Sequence, residues 1–273
     1  MSITFSSCFY IIKSKFDPRI YIYWMNNIIS IVKHFNLVIY THENALKYID
    51  AKGKENPRIK IIIKPLDQFY HYEKKDSWIK NHEKNVYLNG MVDWRVNMLW
   101  SEKIWFVNET IERKYFETEF YGWCDIGYFR NRTNDLHTIY LDNWCNNISD
   151  LLENNKNKIM YACINNDSDF LNSLKQIVNT KGDSGLPLQP IPPTQNSFAG
   201  GFFILHKDKI KWWSETYDSL LKKYFENDYL VKDDQIILAN CILDDDLREH
   251  FTLFTESNPS FDNWFMFQRI LNR

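Results

Sequence analysis

The chain has 273 residues, 44% of them apolar and 16% aromatic, which suffices for one substantial core and excludes a disordered chain. Its net charge of −2 removes any general electrostatic attraction to nucleic acid. The aromatic surplus (10 Trp, 16 Tyr and 19 Phe) suits either large core side chains or flat rings laid against sugar faces.

In chain order, residues 3–10 read as a strand and residues 19–34 as a helix. Residues 37–41 and 58–63 are two further strands, the second stopped by Pro65. Each is short, rich in β-branched or aromatic residues and bounded by turn residues. A strongly apolar helix is expected over residues 91–107, followed by the run Tyr121-Gly122-Trp123-Cys124-Asp125-Ile126-Gly127-Tyr128-Phe129-Arg130. This βαβα order implies an α/β fold with a mostly parallel central sheet flanked by helices.

Farther on, residues 158–163 and Phe198–His206 read as strands, residues 209–225 as an amphipathic helix, and Phe251–Phe254 as strand-like. Residues 181–197 hold Pro187, Pro190, Pro192 and Pro193 with Gly182 and Gly185, so they can continue neither helix nor sheet. They are expected as a surface loop near the carboxyl ends of the strands, serving either as a ligand loop or as a plain connector. One domain is expected over the whole length.

The five cysteines (Cys8, Cys124, Cys145, Cys163 and Cys241) are scattered and odd in number, with no CxxC pair. They form neither a zinc site nor a disulfide framework and suit a reducing compartment. No basic-then-apolar leader is evident, and no run approaches 18 apolar residues. A cytoplasmic protein without a membrane span is therefore expected.

Four constellations carry candidate chemistry. Asp125 lies within an aromatic and aliphatic run, where a carboxylate needs a partner. A hard divalent ion is one such partner, and Gly127 would let a diphosphate approach the backbone. The other reading is a strand Asp facing solvent. Lys103 shares a helical face with Leu99, Trp100 and Val107, so it either points at a fixed anion or forms a surface pair with a nearby Glu. Arg95, earlier on that helix, is a weaker candidate of the same kind.

Gly200 and Gly201 open an apolar strand, permitting close approach of a ligand or a tight turn out of the proline loop. Asp233 fits a helix N-cap, and Asp234 would fall in the first turn. A carboxylate there is a candidate general base or a stabiliser of an oxocarbenium-like transition state. Asp244-Asp245-Asp246 reads as a solvated turn, and His250 as a metal ligand or a packed surface His.

Taken together, these segments resemble the GT-A glycosyltransferases, and most closely the HtrL/YibB family of bacterial glycosyltransferases. Met98-Leu99-Trp100-Ser101-Glu102-Lys103-Ile104 is similar to the family's helix ending in Lys. Trp123-Cys124-Asp125-Ile126-Gly127-Tyr128 is similar to its W-x-D-x-G-Y strand, which stands where related enzymes have D-x-D. Ala199-Gly200-Gly201-Phe202-Phe203, an aromatic helix and then Asp233-Asp234-Gln235 follow the GT-A order.

The resemblance spans residues 3–270 and implies a GT-A, Rossmann-like fold. Residues 1–130 would be its nucleotide-sugar half and 131–273 its acceptor half. It implies transfer of a sugar, a hexose, from a nucleotide-diphosphate donor such as a UDP-sugar to a glycan or glycoconjugate acceptor, with Mn²⁺ or Mg²⁺. Asp125 would meet metal and diphosphate, with His250 or Asp262 as a second ligand, because Trp123 replaces the first acid of D-x-D. Lys103, Arg95, Gly127, Gly200 and Gly201 would face the donor, with Asp234 and then Asp233 nearest the reacting sugar. The competing class is a non-catalytic nucleotide- or sugar-binding protein on the same fold.

Overall fold

The computed structural model describes residues 2–272. The first half runs β1 (Ile3–Phe9), α1 (Pro18–Ser30), β2 (Asn36–Thr41), α2 (Ala51–Glu55), β3 (Ile59–Ile63), α3 (Lys75–Lys84), α4 (Trp94–Glu112) and β4 (Phe120–Cys124). The second half runs α5 (Ser149–Asn154), β5 (Ile159–Cys163), α6 (Ser168–Asn179), β6 (Phe198–His206), α7 (Ile210–Glu226), α8 (Asp234–Leu243), β7 (Phe251–Phe254) and α9 (Phe267–Ile270).

The strands form a seven-stranded sheet in the order β3-β2-β1-β4-β6-β5-β7. All neighbours pair in parallel except β6, which runs antiparallel to both β4 and β5. The central strands β1, β2, β4 and β5 are buried along their whole length, as strands covered on both faces must be. Edge strand β3 is partly exposed. The α/β class and the mostly parallel sheet expected from the sequence are present, and strands from both halves of the chain share this one sheet.

Two cores lie on opposite faces of the sheet. Tyr40, Phe106, Trp123 and Phe203 belong to one, and Phe5, Ile39, Cys124 and Phe202 to the other. Successive side chains of a strand point to opposite faces, so Trp123 and Cys124 are neighbours in sequence and separated in space. The Trp123 ring stacks on Phe106 of α4, with centroids 5.7 Å apart at 14°. That contact seats α4 across β1 and β4, and Ser6 hydrogen-bonds Thr110 at 2.8 Å behind it.

Helix starts follow local capping chemistry. Asp17 accepts from the Arg19 backbone N–H ahead of Pro18, and Asp93 from that of Arg95. Helix α4 consequently begins at Trp94 rather than at Met91, and it runs on to Glu112. Helix α1 ends at Ser30, short of the expected His34. The proline loop is less superficial than its composition implies, because Leu186 and Ile191 are buried in a core.

The chain builds β1, β2 and β3 outward in one direction, then returns to place β4 on the other side of β1. In open α/β sheets the crevice outside the carboxyl ends of the strands at such a reversal is where ligands bind. The carboxyl ends of β1 and β4 are Phe9 and Cys124, so the residue leaving the reversal point is Asp125.

Candidate functional site

A cavity of about 370 Å³ opens at this point. It is lined by residues leaving β1, by the inner face of α4, by residues 123–130, by the start of β6, and by residues 232–235 at the start of α8. Four cations, Lys15, Lys103, Arg130 and Lys232, and three carboxylates, Asp125, Asp233 and Asp234, share its wall with aromatic rings that include Trp100, Trp123 and Trp264.

The centre of the site is Lys103. Its Nζ lies 3.0 Å from Asp234 Oδ2 and 3.2 Å from Asp125 Oδ1, and it donates to the Gly200 carbonyl at 2.8 Å. Its side chain is only 7% exposed, against 10% for Asp234 and 40% for Asp125. Burial works against the ammonium charge, but Asp125 and Asp234 outweigh it and hold Lys103 protonated. For Asp234, burial pushes the carboxyl above its ordinary range, opposed by Lys103 and reinforced by Asp233. Lys103 therefore does point at fixed anions, which belong to the protein itself, and it pairs with no surface Glu among the described residues. It clasps two carboxylates delivered by different elements.

Asp125 is oriented by a second donor. Trp123 Nε1 donates to Asp125 Oδ1 at 2.5 Å, and the Asp125 backbone N–H donates to the Gly201 carbonyl at 2.9 Å. The two glycines of β6 explain how both acids fit. A Cβ on Gly200 would lie 2.4 Å from Asp234 Oδ2, and one on Gly201 would lie 3.1 Å from Asp125 Oδ2. These glycines were expected to admit a ligand or to make a tight turn; both line the cavity, and the room they leave admits the two carboxylates. Gly127 does line the cavity, yet its missing side chain is explained by Trp24, whose ring carbon would sit 2.7 Å from a Cβ.

Asp233 occupies the N-cap position of α8, as its sequence position suggests, but its side chain caps no backbone N–H. Its Oδ2 faces Lys232 Nζ at 3.2 Å, and its Oδ1 is buried with no hydrogen-bond partner among the described residues. A buried carboxylate oxygen left without a donor is costly, and a ligand donor arriving in the cavity would relieve that cost.

Three expected site residues lie elsewhere. Arg95 pairs with Asp93 at 3.1 Å and leans on Trp94, outside the cavity lining. His250 precedes β7, and the parallel register of β7 with β5 puts it at the amino end of the sheet, opposite Asp125. It packs on Trp212 with ring centroids 4.1 Å apart, and burial lowers its pKa. Asp262 is taken by Arg132 at 2.6 Å.

The implied divalent ion therefore meets a sparse donor set. Among the described residues no three of His, Cys, Asp and Glu gather as metal ligands. Asp125 Oδ1 already accepts from Trp123, while Oδ2 lies over Gly201 and accepts from no side chain among the described residues. One free carboxylate oxygen fits an Mg²⁺ or Mn²⁺ that is otherwise held by a ligand's phosphates, and does not fit a metal held by protein alone.

Lys15 and Arg130 were not singled out by sequence reasoning. Arg130 stood in the quoted run but without a role, and Lys15 lies in a polar stretch that no spacing rule marks. The chain matches no protein-family model, and no curated protein is significantly similar to it. No described helix is long and apolar enough to cross a membrane.

Proposed function

We propose that the chain is a GT-A-type glycosyltransferase that moves a sugar, a hexose, from a nucleotide-diphosphate donor such as a UDP-sugar to a glycan or glycoconjugate acceptor. The observation that carries this reading is the Asp125–Lys103–Asp234 clasp, set at the carboxyl end of β4 where the sheet order reverses. Support also comes from the antiparallel β6, whose glycines let the first acid of the site meet the second. The orphaned Asp233 Oδ1 gives a sugar hydroxyl an acceptor inside the cavity.

The transfer needs charge stabilisation on a departing diphosphate and an acid positioned at the reacting sugar. Asp125 has an Oδ2 that accepts from no side chain among the described residues, and this oxygen would hold a divalent ion carried by the diphosphate, whose chemistry is to neutralise the leaving group. Lys103 keeps Asp125 and Asp234 at a fixed separation and supplies a buried positive charge beside both. Asp234, paired with that charge, is the group that would steady positive charge growing on the sugar or accept a proton from the acceptor hydroxyl. Trp100 and Trp264 line the cavity and would supply aromatic contact for the sugar.

The test is chromatographic release of UDP from a panel of UDP-sugars with Mn²⁺ present. The wild type is expected to show slow hydrolysis, accelerated by a productive acceptor, and Asp125→Ala is expected to show none while its circular dichroism stays unchanged. Near-normal turnover in Asp125→Ala would end the proposal. Binding without turnover across donors and acceptors would leave a binding protein on this fold.

A further inference from the structure

Two of the four cations in the cavity wall lack a carboxylate. Lys103 is clasped by Asp125 and Asp234, and Lys232 faces Asp233. Arg132, two positions beyond Arg130, is bound to Asp135 and Asp262. Arg130 and Lys15, by contrast, form no ion pair among the described residues, although both line the cavity.

Arg130 is held by rings rather than by charge. Its guanidinium carbon lies 4.3 Å from the Trp24 ring centroid, 4.9 Å from that of Phe265 and 5.5 Å from that of Phe16. Its Nε donates to the Gly127 carbonyl at 2.9 Å, which fixes the plane of the group, and its terminal nitrogens have no hydrogen-bond partner among the described residues. Burial disfavours the charge, the nearby Arg132 adds to that, and the surrounding ring faces offset part of the cost. Lys15 Nζ sits 4.8 Å from the Trp100 centroid, and its sequence neighbour Phe16 is one of the rings around Arg130. One short loop after β1 therefore places Lys15 and helps to pin Arg130.

A planar, immobilised guanidinium with free N–H donors is preorganised for a bidentate oxyanion, and a second ammonium on the same cavity favours an anion with oxygens to spare. We propose that Lys15 and Arg130 form an anion subsite in this cleft that takes a phosphoryl group of the ligand. The subsite stands on these contacts, while its link to catalysis rests on the transfer reading above. The phosphoryl group belongs either to the donor diphosphate or to a phosphate on the acceptor.

The probe is inorganic pyrophosphate, titrated calorimetrically into the full chain with EDTA present so that only the protein's own cations act. Saturable binding is expected, weakened tenfold or more in Lys15→Met and in Arg130→Met and unchanged in Lys211→Met, a surface lysine of α7 far from the cavity lining. Lys15 is exposed, so Lys15→Met remains informative if Arg130→Met fails to fold. UDP displacing pyrophosphate assigns the subsite to the donor, and UDP binding alongside it assigns the subsite to an acceptor phosphate. No pyrophosphate binding to the wild type, or equal binding in Lys15→Met, overturns the proposal. Pyrophosphate binding without any sugar transfer removes the transferase reading and leaves the subsite standing.

Discussion

Lys103 Nζ lies 3.0 Å from Asp234 Oδ2, joining α4 to the first turn of α8 over the Gly200 backbone. Removing one partner of a buried ion pair leaves the other charge uncompensated, at a cost of about 3–5 kcal/mol. Lys103→Met should therefore lower the urea-derived stability at pH 7 by about that amount. Asp234 already has its pKa raised by burial, and losing the ammonium raises it further. A carboxyl whose folded pKa exceeds its unfolded value destabilises the fold above that unfolded value and ceases to do so once protonated. The stability gap between Lys103→Met and wild type should accordingly narrow as pH falls toward 4. A gap that stays constant between neutral and acid pH would show that the lost interaction is not with a titrating carboxylate.

The glycines of β6 make a graded prediction. Gly200→Ala places a methyl 2.4 Å from a buried carboxylate that Lys103 holds in place, whereas Gly201→Ala places one 3.1 Å from the more exposed Asp125. Overpacking at a rigid site costs about 1–3 kcal/mol. Gly200→Ala should fall in or above that range, and Gly201→Ala below it. Thermal unfolding of the two variants checks the order, and the reverse order would mean that Asp234 moves aside more easily than Asp125.

A separate buried histidine with two carboxylate partners should shape the response to alkali. The His71 side chain is fully buried, with Nδ1 3.0 Å from Glu102 and Nε2 3.3 Å from Asp218. Burial alone would lower its pKa, but Asp218 and Glu102 prevail and raise it above the ordinary 6.5. A raised histidine contributes stability that is complete below 6.5 and is lost as pH rises through the folded value. Melting temperature should thus decline more steeply on the alkaline side of 6.5 in the wild type than in His71→Gln, which cannot titrate. Parallel profiles for the two proteins would mean that His71 is buried neutral.

The sequence exposed the framework more readily than the site. Strands β1, β2 and β5 were legible because strands covered on both faces are continuous apolar runs bounded by turn residues. Helix α3 was not, since Lys75–Lys84 buries only Trp78 and Asn81 and, Ile79 apart, is otherwise polar. Helix α6 carried an unused signal: Asp167 caps it, and Leu174 and Val178 form a buried face at the right spacing. In the site, Asp125, Asp233, Asp234 and Lys103 could be named as chemically expensive residues. Their pairing could not, because Lys103 meets Asp234 from 131 positions away and only the sheet order brings them together. Arg130 and Lys15 were missed for the same reason, as the rings that hold Arg130 come from three separate segments.

Trp123 stands where the resemblance to GT-A glycosyltransferases would place a first acid, and its geometry gives it a different task. Its indole donates to Asp125 Oδ1 while its ring stacks on Phe106. The hydrogen bond therefore orients the acid that remains, where a second carboxylate would have shared its load. Trp123→Phe keeps an aromatic ring against Phe106 and removes the donor together with part of the buried ring. A hydrogen bond to a charged group contributes about 1.5–3 kcal/mol. If that orientation is needed in the transition state, turnover in the proposed transfer should drop by about 10- to 100-fold. The fold should persist, with circular dichroism unchanged and pyrophosphate binding at Lys15 and Arg130 retained. Full activity in Trp123→Phe would mean that Asp125 is held well enough by Lys103 alone and that the indole serves packing.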